Sequence, residues 1–471
     1  MSREGKLVKN TAILSLGTFL PKLAAYITLP ILTGLLTKEE YGTFDLVTVL
    51  VSLLLPAATL QIQTAAFRFL IDERENEDSV KSIITNIYVF IVPLSLVTLL
   101  ALYFFLPDSS PLTNLFICLY FLVDVLVNAA RQIARGLGRT MDYSLSAIIS
   151  AAGKVVFVVL FVQVLRMGLL GTVIAFFGAS TISFLVLAMR IRLYRYIDLS
   201  VISGAELRRM LAYSWPMVPN SMSMWVMRLS DRLVVTAFMG PAANAVYAVA
   251  NKLPGMLNVA QSAFTLAWQE NASIVSKDED AEAYYTSMFH TMFNLMAGFL
   301  GLIICATPLL FMLLIHGDYS EAYFQMPVLF LAAFFYSMAT FLGGIYVAYM
   351  KTKSVGVTTA AAAACNLVVD LALIRWIGLY AASGSTLVSY LFLMIYRMID
   401  VRKIVSLKYD FKNIAAVSLV LITECVLCYL QMPVTDLINL LLGVAAFIIL
   451  NRSFLRALKS KALQLLRKSK A

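Results

Sequence analysis

The sequence predicts an all-α polytopic membrane protein. Long apolar segments fill the 471-residue chain almost from end to end, and the basic residues between them alternate between two sides. The composition agrees with this prediction, since 61% of residues are hydrophobic, 14% are charged and the mean hydropathy is +0.84. A soluble chain usually carries about 25% charged residues, so we expect no large soluble domain.

The apolar segments predict about fourteen transmembrane helices, because about 20 helical residues span the ~30 Å hydrocarbon core of a bilayer. Short Gly, Pro and polar clusters separate the segments and mark the turns. The predicted helices lie at about 11–36, 42–68, 82–106, 112–135, 140–165, 168–191, 209–238, 242–270, 283–314, 323–349, 355–375, 379–401, 412–431 and 434–452.

Lys and Arg residues predict the orientation of these helices. Of the 37 cationic residues, 29 fall on one side of the predicted membrane, three on the other side and five inside it. Basic loops remain in the cytoplasm, so we expect both termini in the cytoplasm of a bacterium and the chain in its inner or plasma membrane. The net charge of +10 reflects this bias and the basic tail Arg467–Lys470, which predicts contact with membrane lipids and no nucleic-acid partner.

The sequence carries no recognisable catalytic or metal-binding motif. It has no Gly-rich phosphate-binding loop, and its five cysteines all fall inside predicted helices. Cys425 and Cys428 have the spacing of half a metal site, but no further ligands lie near them in the sequence. We therefore expect no catalytic residues, no metal, no cofactor and a protein that is not an enzyme.

The first six predicted helices resemble the next six, which predicts an internal repeat. Six helices per repeat keep the same topology, so two lobes would be related by a pseudo-two-fold axis along the membrane normal, which suits alternating access. We predict an N-terminal lobe at 1–203, a C-terminal lobe at 204–408, and two extra helices with the basic tail at 409–471. The matching segments are Asp72–Glu75 with Lys277–Asp280, Glu40–Phe44 with Asn244–Tyr247, and Arg139–Gly171 with Lys351–Ala381.

Charged residues inside the predicted helices are the strongest functional candidates. A charge at mid-bilayer costs at least ~2.5–3.5 kcal/mol unless it faces water or a partner. The cations, spread over four helices, predict a cavity that receives an anion, and the acids predict either carriers of a coupling ion or charge balance. The cations are Lys22, Lys154, Arg228, Arg232 and Lys252, and the acids are Asp45, Asp124, Asp231, Asp370 and Glu424.

Two alternatives stay open for these cations. Arg228 and Arg232 stand at i and i+4 on one helical face, where their guanidinium groups could clamp a phosphate or pair with Asp231 in the same helix. Lys154 could likewise contact the anion or be neutralised by Asp124 on the preceding helix.

Several segments resemble the polysaccharide flippases, which export O-antigen and capsule repeat units and belong to the multidrug/oligosaccharidyl-lipid/polysaccharide exporter (MOP) superfamily. The resemblance covers essentially all of residues 5–405. The segments that carry it are Lys9–Thr11 followed by Leu36–Gly42, Asp231–Arg232 followed by Gly240–Pro241 and Tyr247–Leu253, and Lys351–Lys353 followed by Asn366, Asp370 and Gly378–Ala382.

The resemblance implies a flippase that moves an oligosaccharide linked to undecaprenyl pyrophosphate from the inner to the outer leaflet, for lipopolysaccharide or capsule synthesis. It implies alternating access driven by an H⁺ or Na⁺ gradient or by the membrane potential, with the five cations engaging the pyrophosphate and sugar. Polysaccharide polymerase machinery would use the product, and we expect a monomer. The chain departs from the lipid II flippases in lacking an arginine at mid-depth in helix 2, which argues against a peptidoglycan-precursor role.

Two other functions fit the sequence less well. An ion-coupled multidrug exporter of the same superfamily would favour twelve helices and an acidic cavity, and the five buried cations argue against it. A membrane polysaccharide polymerase or ligase would need an outer active site, but the longest outer connection, Ile315–Tyr323, has only about nine residues.

Overall fold

The computed structural model describes residues 3–106, 109–276, 278–452 and 455–456. Within these ranges the regular structure is helical throughout. The chain divides into two compact units. Unit 1 comprises Met1–Ala245 and Leu314–Gly317, and unit 2 comprises Val246–Leu313 and Asp318–Ala471. The basic tail at Arg467–Lys470 and the cation Lys277 lie outside the described residues.

Unit 1 contains nine described helices and the first half of a tenth. A π-helical turn, Val159–Val164, continues the sixth helix, and two short 3₁₀ turns precede the eighth. The helices are α1 (Arg3–Leu35), α2 (Lys38–Thr59), α3 (Ile62–Asp72), α4 (Glu77–Phe105), α5 (Pro111–Gly136), α6 (Thr140–Val158), α7 (Gly168–Ile191), α8 (Gly204–Ser214), α9 (Met217–Met239) and α10 (Pro241–Ala250), which contains the unit boundary.

Unit 2 continues from α10. Its helix α13 is the most enclosed of the apolar helices, whereas α17 is the least enclosed. The helices of this unit are α11 (Lys252–Val275), α12 (Ala281–Leu314), α13 (Ser320–Ala348), α14 (Thr352–Ile377), α15 (Leu379–Val401), α16 (Phe411–Leu430) and α17 (Pro433–Leu450).

The predicted class, an all-α multi-pass membrane protein, is confirmed. Among the described residues, eleven helices are long and apolar enough to cross a membrane. The other three predicted spans correspond to α1, of which Phe19–Leu35 is apolar, to the charged helix α9, and to the α10–α11 pair, interrupted at Asn251. The count of fourteen spans therefore stays a prediction.

Breaks inside three predicted spans, including the one at Asn251 between α10 and α11, are the main difference from the sequence prediction. The span predicted at about 42–68 is two helices, because Leu60 and Gln61 adopt left-handed conformations between α2 and α3. The span predicted at about 209–238 is also two helices, α8 and α9, separated at Trp215 and Pro216. A hydropathy average over a whole span does not detect such breaks, because each involves only one or two residues.

The start of α2 fixes the position of Asp45 relative to α10. Thr37 and Glu40 form a reciprocal capping box, in which each side chain accepts a hydrogen bond from the other's backbone N–H (3.1 and 3.0 Å). Gly42 lies so close to α10 that an added Cβ would be 1.7 Å from the carbonyl oxygen of Pro241. A glycine permits this approach, which holds the first turn of α2 against α10.

Candidate functional site

The centre of the candidate site in unit 1 is an ion pair between the apolar helix α2 and the charged helix α9. Arg232 of α9 donates a hydrogen bond from NH1 to Oδ1 of Asp45 in α2, with an N–O distance of 2.9 Å. The two side chains are only 17% and 6% exposed, respectively. A charge-assisted bond in such an enclosed place is stronger than a surface pair, so each residue holds the other in a defined position.

Asn244 of α10 completes this arrangement. Its amide nitrogen donates to the carbonyl oxygen of Gly42 (3.0 Å) and to Oδ2 of Asp45 (3.4 Å). Asn244 is fully buried, and its Oδ1 has no hydrogen-bond partner among the described residues. We call Asp45, Arg232 and Asn244 the Asp45 cluster. The carboxylate of Asp45 is therefore held between a cation and a neutral amide.

Trp225 explains why Arg232 faces α2. Its indole N–H donates to the carbonyl oxygen of Val49 (3.3 Å) and to the hydroxyl of Ser52 (3.2 Å), both in α2. Arg232 follows Trp225 by seven residues, which is about two helical turns, so both side chains lie on the same face of α9. The large aromatic residue therefore positions the cation.

The remaining charges of α9 are only partly described. Asp231 is buried at 3% exposure beside Arg232. The side chain of Arg228 lies outside the described part of the structure, so the phosphate clamp predicted from Arg228 and Arg232 stays a prediction. The partner that the structure gives Arg232 is Asp45, a residue 187 positions away, which sequence spacing could not reveal.

A second charged group in unit 1 joins α5, α6 and α7. Lys154 of α6 places its ammonium 4.6 Å from the ring centroid of Phe176, in a cation–π contact. Asp124 of α5 accepts a hydrogen bond from Asn128 (3.1 Å) and attracts Lys154 electrostatically, whereas Arg131 repels it. Asp124 and the ring of Phe176 are thus both neighbours of Lys154, and the choice between neutralisation by Asp124 and contact with an anion stays a prediction.

The other predicted site residues lie apart from these groups along the chain. Lys22 is partly buried in α1 of unit 1, and Lys252 is the partly buried first residue of α11 in unit 2. Asp370 of α14 and Glu424 of α16 are both fully buried in unit 2. One turn before Asp370, the amide of Asn366 donates to the hydroxyl of Ser385 (3.3 Å).

Sequence reasoning missed a buried arginine and a set of polar contacts in unit 2. Arg397 of α15, counted among the cytoplasmic loop cations, is only 5% exposed and donates to backbone and hydroxyl oxygens of α13 and α14. Its position inside a long apolar segment was the available signal. The polar contacts pair Ser383 with Gln325 (2.7 Å) and Tyr247 with Thr386 (3.2 Å).

Comparison with protein families shows which family the chain belongs to. Residues 7–268, more than half of the sequence, match the profile of the family described as "Polysaccharide biosynthesis protein". The chain belongs to this family. The resemblance inferred from sequence motifs is thereby confirmed. None of the curated proteins matches the chain.

Solved structures share the fold of this polysaccharide biosynthesis family member. The lipid II flippase MurJ, in an inward closed conformation, aligns with a TM-score of 0.70 and 16% identity over 94% of this chain and 99% of MurJ. An inward-facing multidrug resistance MATE transporter of the MOP superfamily aligns at 0.69 and 14% identity over 84% of this chain and 98% of the transporter.

A MOP superfamily transporter from Pyrococcus furiosus, described as having a binding pocket of reverse polarity, also shares the fold. It aligns with a TM-score of 0.61 and 16% identity over 85% of this chain and 95% of the transporter. These likenesses establish that the chain has the fold of MOP-superfamily transporters. The identities are too low to carry the substrate of any one of them across.

Proposed function

We propose that the protein is a flippase for lipid-linked oligosaccharides. Its substrate would be a lipopolysaccharide or capsule repeat unit on undecaprenyl pyrophosphate, moved from the inner to the outer leaflet of a bacterial inner or plasma membrane with both chain termini in the cytoplasm. The family and the fold support a transporter of this superfamily. The observation that carries the choice of substrate is Arg232, a guanidinium held by Asp45 between membrane-spanning helices.

The chemistry of the substrate calls for such a residue. A pyrophosphate with attached sugars cannot cross hydrocarbon without polar partners, whereas its prenyl tail can remain in the lipid. The planar guanidinium fork matches phosphate oxygens and binds them in two parallel hydrogen bonds. Arg232 would therefore bind the pyrophosphate, with Lys22, Lys154, Arg228 and Lys252 adding positive charge along the path.

Asp45 would couple substrate binding at Arg232 to the binding of an ion. When pyrophosphate takes Arg232, the carboxylate of Asp45 loses its cation in a place where an isolated charge is costly. Uptake of H⁺ or Na⁺ by Asp45, assisted by the buried Oδ1 of Asn244, would restore charge balance. Asp124, Asp231 and Asp370 would balance the other cations. One coupling ion and one substrate would then occupy the site together as the monomer alternates access, and polysaccharide polymerase machinery would receive the product.

The test is flipping of a labelled undecaprenyl-pyrophosphate oligosaccharide in proteoliposomes. The double variant Asp45→Asn/Arg232→Gln removes both charges, so it tests the cation without leaving an unpaired carboxylate. We expect at least a tenfold slower flipping rate than wild type, with equal membrane insertion. Lys353→Gln, which neutralises an exposed lysine near the start of α14, is the matched control and should flip at the wild-type rate.

Three results decide the assignment. Wild-type flipping by the double variant would refute a role for Arg232 in binding. A partial rate in Arg232→Lys would support recognition by the fork, because lysine keeps the charge but loses the second hydrogen bond. Loss of flipping in Lys353→Gln as well would show that any neutralised cation is harmful, which would remove the argument for Arg232.

A multidrug exporter is the second candidate. The structural likeness to a multidrug resistance MATE transporter and the neutralisation of Arg232 by Asp45 both favour it. A small cationic dye, tested in the same proteoliposomes, separates the two functions. Dye movement without glycolipid flipping would support the exporter, and flipping without dye movement would support the flippase.

A further inference from the structure

Glu424 in unit 2 is a buried carboxyl for which the proposed transport step has no use. It lies in α16, and its side chain is fully buried. Neither carboxyl oxygen has a hydrogen-bond partner among the described residues. This is unusual, because nearly all buried polar atoms in proteins are hydrogen-bonded and a buried carboxylate normally has a cation or several donors beside it.

The carboxyl is enclosed by three helices. A Cβ added to Gly301 of α12 would lie 2.9 Å from Oε2 and 3.0 Å from Oε1 of Glu424, so the absence of a side chain at Gly301 makes room for the acid. On the α17 side, the amide of Asn439 donates to the backbone carbonyl of Glu424 (3.2 Å), while its own Oδ1 has no partner among the described residues. α17 is held against α12 at Gly443, where an added Cβ would lie 3.0 Å from Cys305 Sγ.

The titratable groups near Glu424 offer it no positive charge. Cys305 of α12 and Cys425 of α16 are the groups that interact with it electrostatically. From α13, the hydroxyl of Tyr323 faces the thiol of Cys428, and α17 contributes Asp436 near that thiol. These groups are neutral or acidic. Among the described residues, burial is the one influence found on Glu424 itself.

We propose that Glu424 is a proton-binding site, occupied by a proton when α16 and α17 are docked on α12. A neutral carboxylic acid tolerates an enclosure without donors or cations, whereas a carboxylate would remain an uncompensated buried charge. The neutral acid has one O–H donor, and Asn439, which contacts the backbone of Glu424, carries an Oδ1 without a partner among the described residues. Because the carboxyl fills the space beside Gly301 and α17 packs against α12 at Gly443, the proposal predicts that the proton leaves when α17 separates from α12. Glu424 lies outside the Asp45 cluster, and its protonation does not depend on whether the protein is a flippase.

The first test is the pH dependence of folding, by reversible unfolding in mixed micelles, of the wild type and Glu424→Gln. Glutamine has the shape of the neutral acid and no titration. An unfolded glutamate ionises near pH 4.3, so the wild type binds one proton more when folded than when unfolded. The ratio of the wild-type to the variant folding constant should then fall about tenfold per pH unit from pH 6 to 7.5. A constant ratio would overturn the proposal.

The second test observes the proton directly and does not depend on unfolding. Infrared spectra of the protein in lipid nanodiscs at pH 7 should contain the carbonyl stretch of a protonated carboxyl. Glu424→Gln should remove intensity equivalent to one acid, measured against the amide band. Glu321→Gln, which changes an exposed carboxyl of the same unit, is the control for nonspecific loss and should leave the band unchanged. Equal protonated-carbonyl intensity in the wild type and Glu424→Gln would refute the site.

Discussion

The ion pair between Asp45 and Arg232 makes a quantitative prediction about stability. We consider Asp45→Asn, Arg232→Gln and the double variant, each close in size to the wild-type side chain. Removing one partner of a buried pair typically destabilises a protein by about 3–5 kcal/mol, because the other charge stays buried and unpaired. The structure predicts different losses for the two single variants, because the two partners differ in exposure.

Arg232→Gln should be the more damaging single change. It leaves Asp45, 6% exposed, with the Asn244 amide at 3.4 Å as a neutral donor, so we expect a loss of about 3–4 kcal/mol in the free energy of unfolding. Asp45→Asn leaves Arg232, which is 17% exposed and better able to reach water, so we expect about 2–3 kcal/mol. The double variant should lose about 2 kcal/mol less than the sum of the single variants.

The assay is equilibrium unfolding in mixed micelles at one pH and salt concentration for all four proteins. A coupling energy near 2 kcal/mol would confirm that the pair acts as a unit. Additivity of the two single losses within about 0.5 kcal/mol would refute the reasoning, since two residues that contribute independently are not paired in the folded protein.

Two further predictions concern a close helix contact and the C-terminal tail. Gly42→Ala should lower the free energy of unfolding by about 3 kcal/mol, because its Cβ would overlap the carbonyl of Pro241; Gly204→Ala, whose Cβ meets no atom within 4 Å, should change it by less than about 0.5 kcal/mol. A similar loss in both variants would contradict the clash. Deletion of residues 460–471 should leave flipping in proteoliposomes unchanged, and a loss would show that the tail takes part in transport.

Hydropathy predicted the helices well because the bilayer requires long apolar segments with satisfied backbones. The predicted spans at about 168–191 and 379–401 match α7 and α15 within a residue. Prediction failed where a local break leaves composition unchanged, as at Leu60 and Gln61 between α2 and α3. A turn of left-handed residues carries no signal when those residues are neither Gly nor Asn.

The sequence predicted which residues belong to the candidate site, but not which of them contact each other. Charges within apolar segments marked Asp45 and Arg232 individually, because such charges are costly without a partner. Their pairing depends on how α2 packs on α9, which periodicity in one sequence does not encode. Arg397 was wrongly assigned to the cytoplasmic side for a related reason. A basic side chain near the end of a helix can turn to the cytoplasm or into the protein. The hydroxyls that bind Arg397 inside the protein belong to another helix, α14.

The buried Arg397 and the partly buried Arg131 give the predicted repeat a structural test. In unit 1, Arg131 of α5 donates to the hydroxyl of Ser146 in α6 (3.1 Å). In unit 2, Arg397 of α15 donates to the hydroxyl of Thr358 in α14 (3.1 Å). The matched segments Arg139–Gly171 and Lys351–Ala381 begin 212 residues apart, so Thr358 corresponds to Ser146. If the same offset extends to the preceding helix, the counterpart of Arg131 is Gly343. A Cβ added to Gly343 would lie 2.8 Å from NH1 of Arg397.

With this correspondence, the two predicted halves would each place a guanidinium near the matching hydroxyl but supply it from different helices. If the repeat is real, Gly343→Arg should restore much of the stability lost in Arg397→Ala, since the new side chain enters the space vacated by the old one near Thr358. We expect Arg397→Ala to lose about 3 kcal/mol by unpairing several buried acceptors and the double variant to recover at least half. Gly343→Arg in the wild-type background should be destabilising, because the space is occupied. No recovery in the double variant would mean that the correspondence between the two arginines is accidental.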